Sequence, residues 1–589
     1  MKLALVHASQ SNSFMREILE GIAWEARIAG VDAEVIDDTF PDDDDTVFIV
    51  IPHEYFALIP KAEWPEPRLL ARTFALTVEH PGTQWFEISA EQARRCGQII
   101  DINHDSTLEL RRRGQPATHF QLGYTAYNDR WQRADNLRSI DIAYLGSTDP
   151  KRDALLVDYS RLWWQHDVRL LIPEHHPKTG DGTDFVSGET KLELLRDTRI
   201  LLNLHRDQSH ALEWVRVLEA ITNGAVVFSE HSVDAFPLVA GKHFISATTS
   251  SLGILAADMV DDDARLTELR NSAYDFITTQ LRLATAVASL IPVAENLLQR
   301  PGIVADPDSV LDPPRPPARQ PAWTLLPANS IQTAVQRRPS GPIRATQRIE
   351  SSSFADAAPT VSVIIPAFES AGFISDALRS VASSRGLSYE ILIHDDGSTL
   401  SSAAAVETFV IEHPDTPLSF VGAATNQGVS AARNALLARV RGEFVFTLDA
   451  DNGVYPSALL RLHAALVADP DAAFAYSAIA VFNGTRPQNL LSARSWDPTL
   501  FRYGNYIDNM AMYRVNELRE RGGWDETLLN WEDFHLWLRF AEAGKRGVFI
   551  PQALSWYRVF SGSRSQHPPH RLHSLWSEMR ATAPTVLAD

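Results

Sequence analysis

The residues best suited to chemistry are acidic side chains that follow apolar runs in the C-terminal half of the chain. They form three groups: Asp395 with Asp396, Asp449 with Asp451, and Glu532 with Asp533. A hard divalent cation such as Mg²⁺ or Mn²⁺ prefers oxygen ligands, usually one or two carboxylates together with phosphate oxygens of a substrate. Asp449 and Asp451 directly follow the run EFVFTL, so they could hold such a cation against a diphosphate at the end of a strand.

Position, rather than the Asp-x-Asp spacing itself, supports this interpretation. The same spacing occurs in loops or polar runs, where carboxylates are solvated or cap helices, at Asp42/Asp44, Asp261/Asp263, Asp306/Asp308 and Asp469/Asp471. The run from Asp395 to Ser398 also suits a simple turn, because Asp, Gly and Ser favour turns. Glu532 and Asp533 also suit the start of a helix, where acidic residues are favoured. Taken one group at a time, both alternatives stay open.

The elements that must position these acids are short apolar strands that alternate with helices. The C-terminal half runs from strand VSVIIP through helix FISDALRSVASS and strand YEILIHDD to strand EFVFTLDAD. This alternation predicts an α/β fold with a doubly wound parallel sheet. Ligands of such sheets bind at the carboxyl ends of the strands, which is where the acidic groups stand.

The N-terminal half shows the same alternation in two sets that divide near residues 125–140. We therefore predict two Rossmann-like lobes, over about 1–130 and 131–300. A proline-rich linker is predicted over 301–357, because the closely spaced prolines of DPPRPPARQP favour an extended, semi-rigid chain. The C-terminal domain is predicted over 358–589.

Composition limits the classes of partner. The 589 residues carry 54 basic against 74 acidic side chains, a formal charge of −20, which argues against an extended nucleic-acid or anionic-membrane surface. Cys96 is the one cysteine, so an intrachain disulfide is excluded and a reducing compartment is expected. No run approaches the roughly 18 apolar residues of a membrane span. We expect a cytoplasmic protein without a membrane span, with peripheral docking at the inner face of the membrane as an open alternative.

The C-terminal motifs occur in the order of a known family. VSVIIPAFESAGFISDALRSV, ILIHDDGST, NQGVSAARN, TLDADN and GGWDETLLNWEDFHLWLRFAEAG, over about 361–560, resemble the inverting family 2 glycosyltransferases of GT-A fold. The resemblance implies transfer of a sugar from a nucleotide-sugar donor, with a UDP-sugar expected, and dependence on Mg²⁺ or Mn²⁺. The implied acceptor is a hydroxyl of a glycan or of a lipid-linked or protein-linked sugar in polysaccharide biosynthesis.

The resemblance also implies residue roles. Asp533 would be the general base with Glu532 as its neighbour, Asp451 would ligate the metal, and Asp449 would lie at the ribose and the metal. The donor contacts would be Pro366, Phe368, Glu369, Asp395, Asp396 and Arg433, with Phe368 near the base and the two aspartates at uracil and ribose. These roles fit the chemistry, since inversion needs one base for the acceptor hydroxyl and charge stabilisation for the leaving diphosphate.

Two departures from the family pattern affect the nucleoside contacts. Phe368-Glu369 stands where the family usually has Tyr-Asn, and His394 replaces an aliphatic residue. Near the C-terminus, His567, His570 and His573 invite a metal interpretation, with His567 the best single ligand. Their spacing matches no zinc signature and two prolines interrupt it, so we do not predict a metal site there.

In the N-terminal half, LGSTDPKR, ILLNLHRD and EWVRVLEAITNGAVVFSE resemble the donor lobe of group 1 GT-B glycosyltransferases. The resemblance implies donor contacts at Gly146, Ser147, Lys151, Arg152, Arg216 and Glu219, with Glu219 on the ribose and the others at the diphosphate. Two features depart from that family. The position eight residues before Glu219 is Ala211 rather than a glutamate, and the loop VHASQSNS after the first strand has no glycine.

Three functions remain open from the sequence. The first is an enzyme with two glycosyltransferase modules, in which His7, His53 or His80 could act as the acceptor-side base of the N-terminal module. The second is one active GT-A enzyme joined to a non-catalytic GT-B-like module that binds acceptor or partner. The third is a non-enzymatic scaffold or glycan-binding protein. The sugars, the linkages and the oligomeric state are not predicted.

Overall fold

A computed structural model describes residues 1–133, 137–173, 185–206, 210–299, 320–322, 345–528, 530–559 and 572–588. The chain forms two compact units. The first comprises Met1–Arg152 and His166–Ala318, and the second comprises Asp153–Gln165 and Arg319–Asp589. Most of the predicted linker over 301–357 lies outside the described residues, as do the side chains of the C-terminal histidines considered above.

The first unit contains two parallel sheets. The six-stranded sheet has the order β2-β1-β3-β4-β5-β6, with strands β1 (Lys2–His7), β2 (Asp32–Asp37), β3 (Thr46–Val50), β4 (Thr73–Thr77), β5 (Gln98–Asp101) and β6 (Ala117–His119). The five-stranded sheet has the order β11-β10-β9-β7-β8, with strands β7 (Ile140–Leu145), β8 (Val168–Leu171), β9 (Thr198–Asn203), β10 (Val226–Glu230) and β11 (Ile245–Ala247). Strands β3 and β4 are buried throughout, which is typical of parallel sheets covered on both faces.

Helices connect these strands. They are α1 (Ser13–Ile28), α2 (Pro52–Leu58), α3 (Pro67–Leu70), α4 (Gln84–Ala93), α5 (His104–Arg112), α6 (Pro150–Trp163), α7 (Gly188–Arg196), α8 (Trp214–Thr222), α9 (Thr249–Met259), α10 (Asp263–Gln280) and α11 (Leu283–Leu298). Helix α8 shows why they form, because Trp214, Val217, Leu218 and Ile221 recur at helical spacing and are all buried. The strand–helix alternation predicted from the sequence is therefore present.

The boundary between the compact units falls inside α6. Residues from Asp153 onward belong to the second unit, where Val157 packs in a small apolar cluster with Ala478 and Ala480. The hydroxyl of Ser160 lies 2.9 Å from that of Tyr455. A segment that is distant in sequence thus completes the second unit.

One mixed sheet organises the second unit. Its order is β12-β15-β14-β13-β16-β20-β18-β21-β17, with β19 paired to β18. The strands are β12 (Ala345–Glu350), β13 (Val361–Ala367), β14 (Tyr389–Asp395), β15 (Leu418–Ala423), β16 (Phe444–Thr447), β17 (Gly453–Val454), β18 (Phe474–Asn483), β19 (Arg486–Leu491), β20 (Ala511–Arg514) and β21 (Gly547–Val559). Strands β13 to β16 are parallel to their neighbours within that group, as predicted, whereas β20 joins β16 antiparallel.

The helices of the second unit cover both faces of this sheet. They are α12 (Ile374–Ala382), α13 (Ala403–Glu412), α14 (Val429–Leu437), α15 (Ala458–Ala468), α16 (Val515–Glu520), α17 (Glu532–Glu542) and α18 (Leu572–Thr582). Successive residues of β13 enter different cores, since Val363 and Ile365 pack on one side and Ile364 on the other. Among the described residues, no helix is long and apolar enough to cross a membrane.

Candidate functional site

The acidic groups of the second unit surround one arginine at the carboxyl ends of the parallel strands. Asp449 follows β16, Glu532 is the first residue of α17, and Arg433 projects from α14. Arg433 Nη2 donates to Asp449 Oδ1 at 2.8 Å, and Nη1 donates to Glu532 Oε1 at 2.9 Å. The structure thereby brings together three residues that the sequence singled out separately.

Arg433 is a buried cation, with only 3% of its surface exposed. Burial by itself lowers the pKa of the guanidinium, but the charges of Asp449 and Glu532 outweigh burial and raise it. Arg433 therefore stays charged and holds both carboxylates through charge-assisted hydrogen bonds. Because Arg433 is buried, removing either carboxylate would leave part of its charge uncompensated, which is costly.

Asp533 lies beside this group in the first turn of α17. Its Oδ1 accepts from the backbone N–H of Phe534 at 2.7 Å, and its Oδ2 accepts from Asn505 Nδ2 at 2.9 Å. Burial, followed by repulsion from Glu532 and Asp508, raises the pKa of Asp533 to about 7. A carboxylate whose pKa lies near neutral is suited to accept a proton from a hydroxyl.

The backbone that presents Asp533 is held in an uncommon conformation. Trp531, the residue before α17, has a φ of 60°, in the left-handed region that side chains other than glycine seldom occupy. Its ring packs against Phe534 and Trp576, with centroid distances of 5.7 and 5.4 Å. Aromatic packing thus fixes the turn that places Glu532 and Asp533 beside Arg433 and Asp449. We call the site around these four residues the cleft of the second unit.

Sequence reasoning missed two polar residues of this site, Asp508 and Asn505. They precede β20, which pairs antiparallel with β16, so the start of β20 lies at the same edge of the sheet as the end of β16. Asp508 Oδ1 accepts from the N–H of Met510 at 2.9 Å, and burial, followed by repulsion from Asp449, raises the pKa of Asp508 to about 7. Finding these residues from the sequence would require the pairing partner of β20, because no apolar strand precedes them.

Asp395 and Asp396 both bind backbone amides of neighbouring loops. Asp395 accepts from the N–H groups of Ser398 and Ser402, at 3.0 and 2.8 Å. Asp396 accepts from the N–H groups of Gln427 and Gly428, at 2.8 and 2.7 Å. The two aspartates therefore shape the loops at the ends of β14 and β15, and their contacts to uracil and ribose stay predictions.

The position of Gly397 requires glycine, because the loop that follows β14 meets the loop that follows β15 there. Gly397 has a φ of 71°, and a Cβ added there would lie 2.6 Å from the carbonyl carbon of Thr425. Only a residue without a side chain allows the two loops to approach so closely. The Asp-Asp-Gly and Asn-x-Gly motifs are thus two halves of one structural contact.

Phe368 and Glu369 extend from the end of β13. Phe368 is 40% exposed at the mouth of the sheet, whereas Pro366 is buried within the strand. The carboxylate of Glu369 accepts from the N–H of Thr399 at 2.6 Å, and this hydrogen bond lowers the pKa of Glu369. An exposed ring of this kind offers a flat apolar face on which a planar base can stack.

Asp449 and Asp451 have the chemistry expected for ligands of Mg²⁺ or Mn²⁺. Both are partly exposed carboxylates at a strand end, and one oxygen of Asp449 already binds Arg433. Among the described residues, five carboxylates interact with one another in this cleft, beside the buried Arg433: Asp449, Asp451, Asp508, Glu532 and Asp533. The donor set and the excess of negative charge both fit a hard divalent cation.

In the first unit, two arginines lie on either side of one glutamate at the start of α8. Glu213, just before α8, accepts from Arg152 Nη2 at 3.2 Å and lies 3.9 Å from Arg216. Burial opposes ionisation of Glu213, but Arg216 and Arg152 outweigh it and lower its pKa to about 2. Glu213 is therefore an ionised carboxylate between two cations.

Glu79 and His53 form a second polar group in this unit, at the ends of β4 and β3. His53 Nε2 lies 3.5 Å from Glu79 Oε1. Burial, followed by repulsion from Glu213, raises the pKa of Glu79 to about 7, and burial lowers the pKa of His53 to about 3.

His80 is the next residue after Glu79, and burial also lowers its pKa. His7 instead bonds to Asp37 and Ser11.

Glu79 and Glu213 were not predicted as site residues. Glu79 follows the apolar run TFALTV, so the position rule that singled out the C-terminal acids could have identified it. Glu213 carries no such signal, because the residues that surround its carboxylate come from α6 and α8.

Several residues that the resemblance assigned to the donor in this unit have partners within the fold. The N–H of Gly146 donates to the carbonyl of Leu171 at 3.1 Å, and Lys151 Nζ donates to Glu230 at 2.7 Å. Buried Glu219 accepts from Lys191 at 2.8 Å, and Lys191 also pairs with Glu17. Ser147 is partly exposed after β7. The donor roles of these residues stay predictions.

Comparison with known proteins places a family match in the second unit. Residues 362–518 match the family model of Glycosyl transferase family 2. The second unit contains a glycosyltransferase domain. This result confirms the enzyme class predicted from the C-terminal motifs, and the matched residues include β13, β14, β16 and the Asp449–Asp451 turn.

The O-antigen biosynthesis protein RfbC of Myxococcus xanthus is 28% identical over 258 residues, which cover 43% of this chain and 19% of RfbC. The putative glycosyltransferase EpsE of Bacillus subtilis is 25% identical over 206 residues, 34% of this chain and 73% of EpsE. The chain thus spans about a fifth of RfbC. Among solved structures, Staphylococcus aureus TarS 1–349 in complex with UDP-GlcNAc is 19% identical, covers 38% of this chain and 66% of that chain, and has a TM-score of 0.32.

Proposed function

We propose that the second unit transfers a sugar from a nucleotide-sugar donor, of UDP type, to an acceptor hydroxyl with inversion of configuration. The observation that carries this proposal is the contact of Arg433 with both Asp449 and Glu532. One buried guanidinium links the acid at the end of β16, on the donor side, to the turn that presents Asp533.

Each residue has a definite task in this reaction. Asp533 accepts the proton of the acceptor hydroxyl as its oxygen attacks the anomeric carbon, while the bond from that carbon to the diphosphate oxygen breaks. Asn505 and the N–H of Phe534 hold the Asp533 carboxylate in place. Phe368 offers its exposed ring to the base of the nucleotide. Because the base acts on one face and the diphosphate leaves from the other, a single displacement inverts the anomeric carbon.

Asp449 and Asp451 would hold Mg²⁺ or Mn²⁺ in this proposal. The ion would stabilise the negative charge of the departing nucleoside diphosphate. Arg433 orients Asp449 and leaves its second oxygen for such a ligand. Similarity to an O-antigen biosynthesis protein supports a glycan or a lipid-linked or protein-linked sugar as acceptor, in the synthesis of a polysaccharide.

The test is release of nucleoside diphosphate from a panel of UDP- and GDP-sugars with Mn²⁺ or Mg²⁺. We expect Asp451→Asn to reduce release by about 100-fold or more, since several kcal/mol of charge stabilisation is lost. Asp471→Asn is the matched control, because Asp469 and Asp471 have the same spacing outside the cleft. Equal activities of the two variants would contradict the proposal. Absence of release by the unaltered protein with every donor would favour a non-enzymatic scaffold.

For the first unit we propose a GT-B-like module that carries a second transfer site. The specific observation is that Arg152 and Arg216 flank Glu213, whose charge acts on Glu79 and His80 at the ends of the other sheet. Two arginines can bind a diphosphate without a metal ion. The alternative is a module of the same fold that binds acceptor without catalysis.

Arg216→Ala separates these alternatives when the products are analysed by mass spectrometry. A second transfer site predicts that this variant loses one product and keeps the product removed by Asp451→Asn. If every product persists and only the KM for acceptor rises, the first unit binds acceptor. Arg265→Ala is the control, since Arg265 is an exposed arginine that pairs with Glu268.

A further inference from the structure

Two aspartates and a histidine from both sheets of the first unit meet at one point. His104 and Asp105 begin α5 directly after β5, and Asp234 lies between β10 and β11. One ligand atom from each of the three lies within 4.8 Å of the others. Tetrahedral ligands at about 2.1 Å from a metal ion are roughly 3.4 Å apart, so small side-chain rotations would close the set around an ion.

The backbone fixes Asp234 in this position. Its Oδ2 accepts from the N–H of His104 at 2.8 Å and from the N–H of Asp105 at 3.4 Å. Capping the start of α5 accounts for one carboxylate. It does not account for a second carboxylate and an imidazole whose ligand atoms converge with that of Asp234.

His119 supplies an independent observation. It is the last residue of β6, and its ring centroid is 5.6 Å from that of His104. Its Nε2 is buried and has no hydrogen-bond partner among the described residues, while the ring also interacts with the backbone carbonyl of Ile102. Histidines that bind metals commonly donate one ring N–H to a backbone carbonyl and keep the other nitrogen for the ion.

We propose that His104, Asp105 and Asp234 bind one divalent transition-metal ion of the zinc type, and that His119, which lies outside this group of three in the structure, rotates to become the fourth ligand. Mixed imidazole and carboxylate ligands favour Zn²⁺ or Co²⁺ over Mg²⁺, which prefers oxygen ligands alone. Two aspartates balance the charge of the dication. His104 begins the helix after β5 of one sheet and Asp234 lies in the loop after β10 of the other, so the ion would hold these two segments together.

The test uses the full chain, stripped with a chelator and titrated with ZnCl₂ or CoCl₂. We expect one zinc ion bound per chain at this site, an increase in Tm, and a visible absorption spectrum with Co²⁺. Asp234→Asn is the decisive variant, because an amide oxygen can still accept the two backbone hydrogen bonds while the charged ligand is lost. We expect Asp234→Asn and His104→Ala to lower zinc affinity by 10- to 100-fold.

His231→Ala is the matched control, since His231 is an exposed histidine of the same segment and lies outside the ligand group. All measurements are made in the Asp451→Asn background, which weakens metal binding by the second unit. The proposal is wrong if the parent protein binds no more zinc than His104→Ala, or if Asp234→Asn binds zinc as tightly as His231→Ala. Sugar transfer is assayed separately in the unaltered protein, so failure of either proposal leaves the other standing.

Discussion

Both units place ionisable side chains at the ends of parallel strands, but they balance charge in opposite ways. In the second unit the buried Arg433 pairs with two members of a group of five carboxylates, Asp449 and Glu532, whereas in the first unit Glu213 lies between Arg152 and Arg216. If a nucleoside diphosphate binds at the second cleft as we propose, its negative charge adds to that of these carboxylates, and a divalent cation would offset it. If one binds at the first unit as we propose, Arg152 and Arg216 would contact it directly. Under these two proposals, similar sheet edges would serve metal-dependent and metal-independent binding of the same class of ligand.

The largest expected effect is that of removing Asp533, the proposed base of the second cleft. Asp533→Asn should reduce sugar transfer by about 1000-fold, because the acceptor proton then has no carboxylate to receive it. Single-turnover measurement with saturating donor isolates this step. Glu542→Gln, at the other end of α17, should leave the rate unchanged. Transfer at more than a tenth of the normal rate in Asp533→Asn would remove Asp533 from the mechanism.

Arg433→Met tests whether the second cleft depends on this buried cation. The change leaves Asp449 and Glu532 without a counter-charge, and we expect the free energy of unfolding to fall by about 3–5 kcal/mol. Denaturant unfolding measures this directly. Arg546→Met is the comparison, since its exposed pair with Asp469 should contribute less than about 1 kcal/mol. A loss equal to that of the control would mean that the acids are not held by Arg433.

Glu219→Gln tests how far a buried ion pair, that of Glu219 with Lys191, stabilises the first unit. Lys191 would keep Glu17 but lose a buried partner, so we expect a loss of about 2 kcal/mol in unfolding free energy. The exposed Glu189, which pairs with Arg130, provides the control Glu189→Gln, with an expected loss under about 1 kcal/mol. If Glu219→Gln is as stable as this control but has a higher KM for a donor, Glu219 binds ribose as the resemblance implies.

The smallest expected effect is that of pH on transfer by the second unit. The pKa of Asp533 is raised to about 7, and the base must be ionised, so the rate should increase by about tenfold between pH 6 and pH 8. The raised pKa also means that the folded state binds this proton more tightly than the unfolded chain. The contribution of Asp533 to stability therefore decreases as pH rises from about 4 to 7. A transfer rate that does not change between pH 6 and pH 8 would contradict the role of Asp533 as the base.

The sequence singled out Asp449 by the apolar strand before it and Glu532 by its place at a helix start within the family's motif order. The structure joins these two residues through Arg433, and their roles stay predictions. Asp508 could not be identified, because it precedes an antiparallel strand whose partner lies more than 60 residues earlier in the chain. The amide contacts of Asp395 and Asp396 likewise depend on loops that come together only in the folded sheet.

In the first unit, sequence patterns predicted the strands and helices better than they predicted the partners of individual side chains. The alternation of strands and helices is present, but Gly146 and Glu219 have partners that their local motifs did not indicate. Lys191 and Glu17 lie far from Glu219 in sequence and meet it only after α1, α7 and α8 pack together. Long-range ion pairs of this kind leave no periodic pattern in a single sequence.

The passage of α6 from one unit to the other limits how the chain can be divided or exchanged. A genetic recombination within the proline-rich segment would transfer the proposed catalytic residues of the second unit but leave behind Val157 and Ser160. The recipient would inherit an apolar patch around Ala478 and Ala480 and a Tyr455 hydroxyl without its partner. The N-terminal and C-terminal halves of the chain therefore cannot be exchanged as independent domains, although the order of motifs in the sequence suggests one domain after the other. A viable exchange would have to carry residues 153–165 as well.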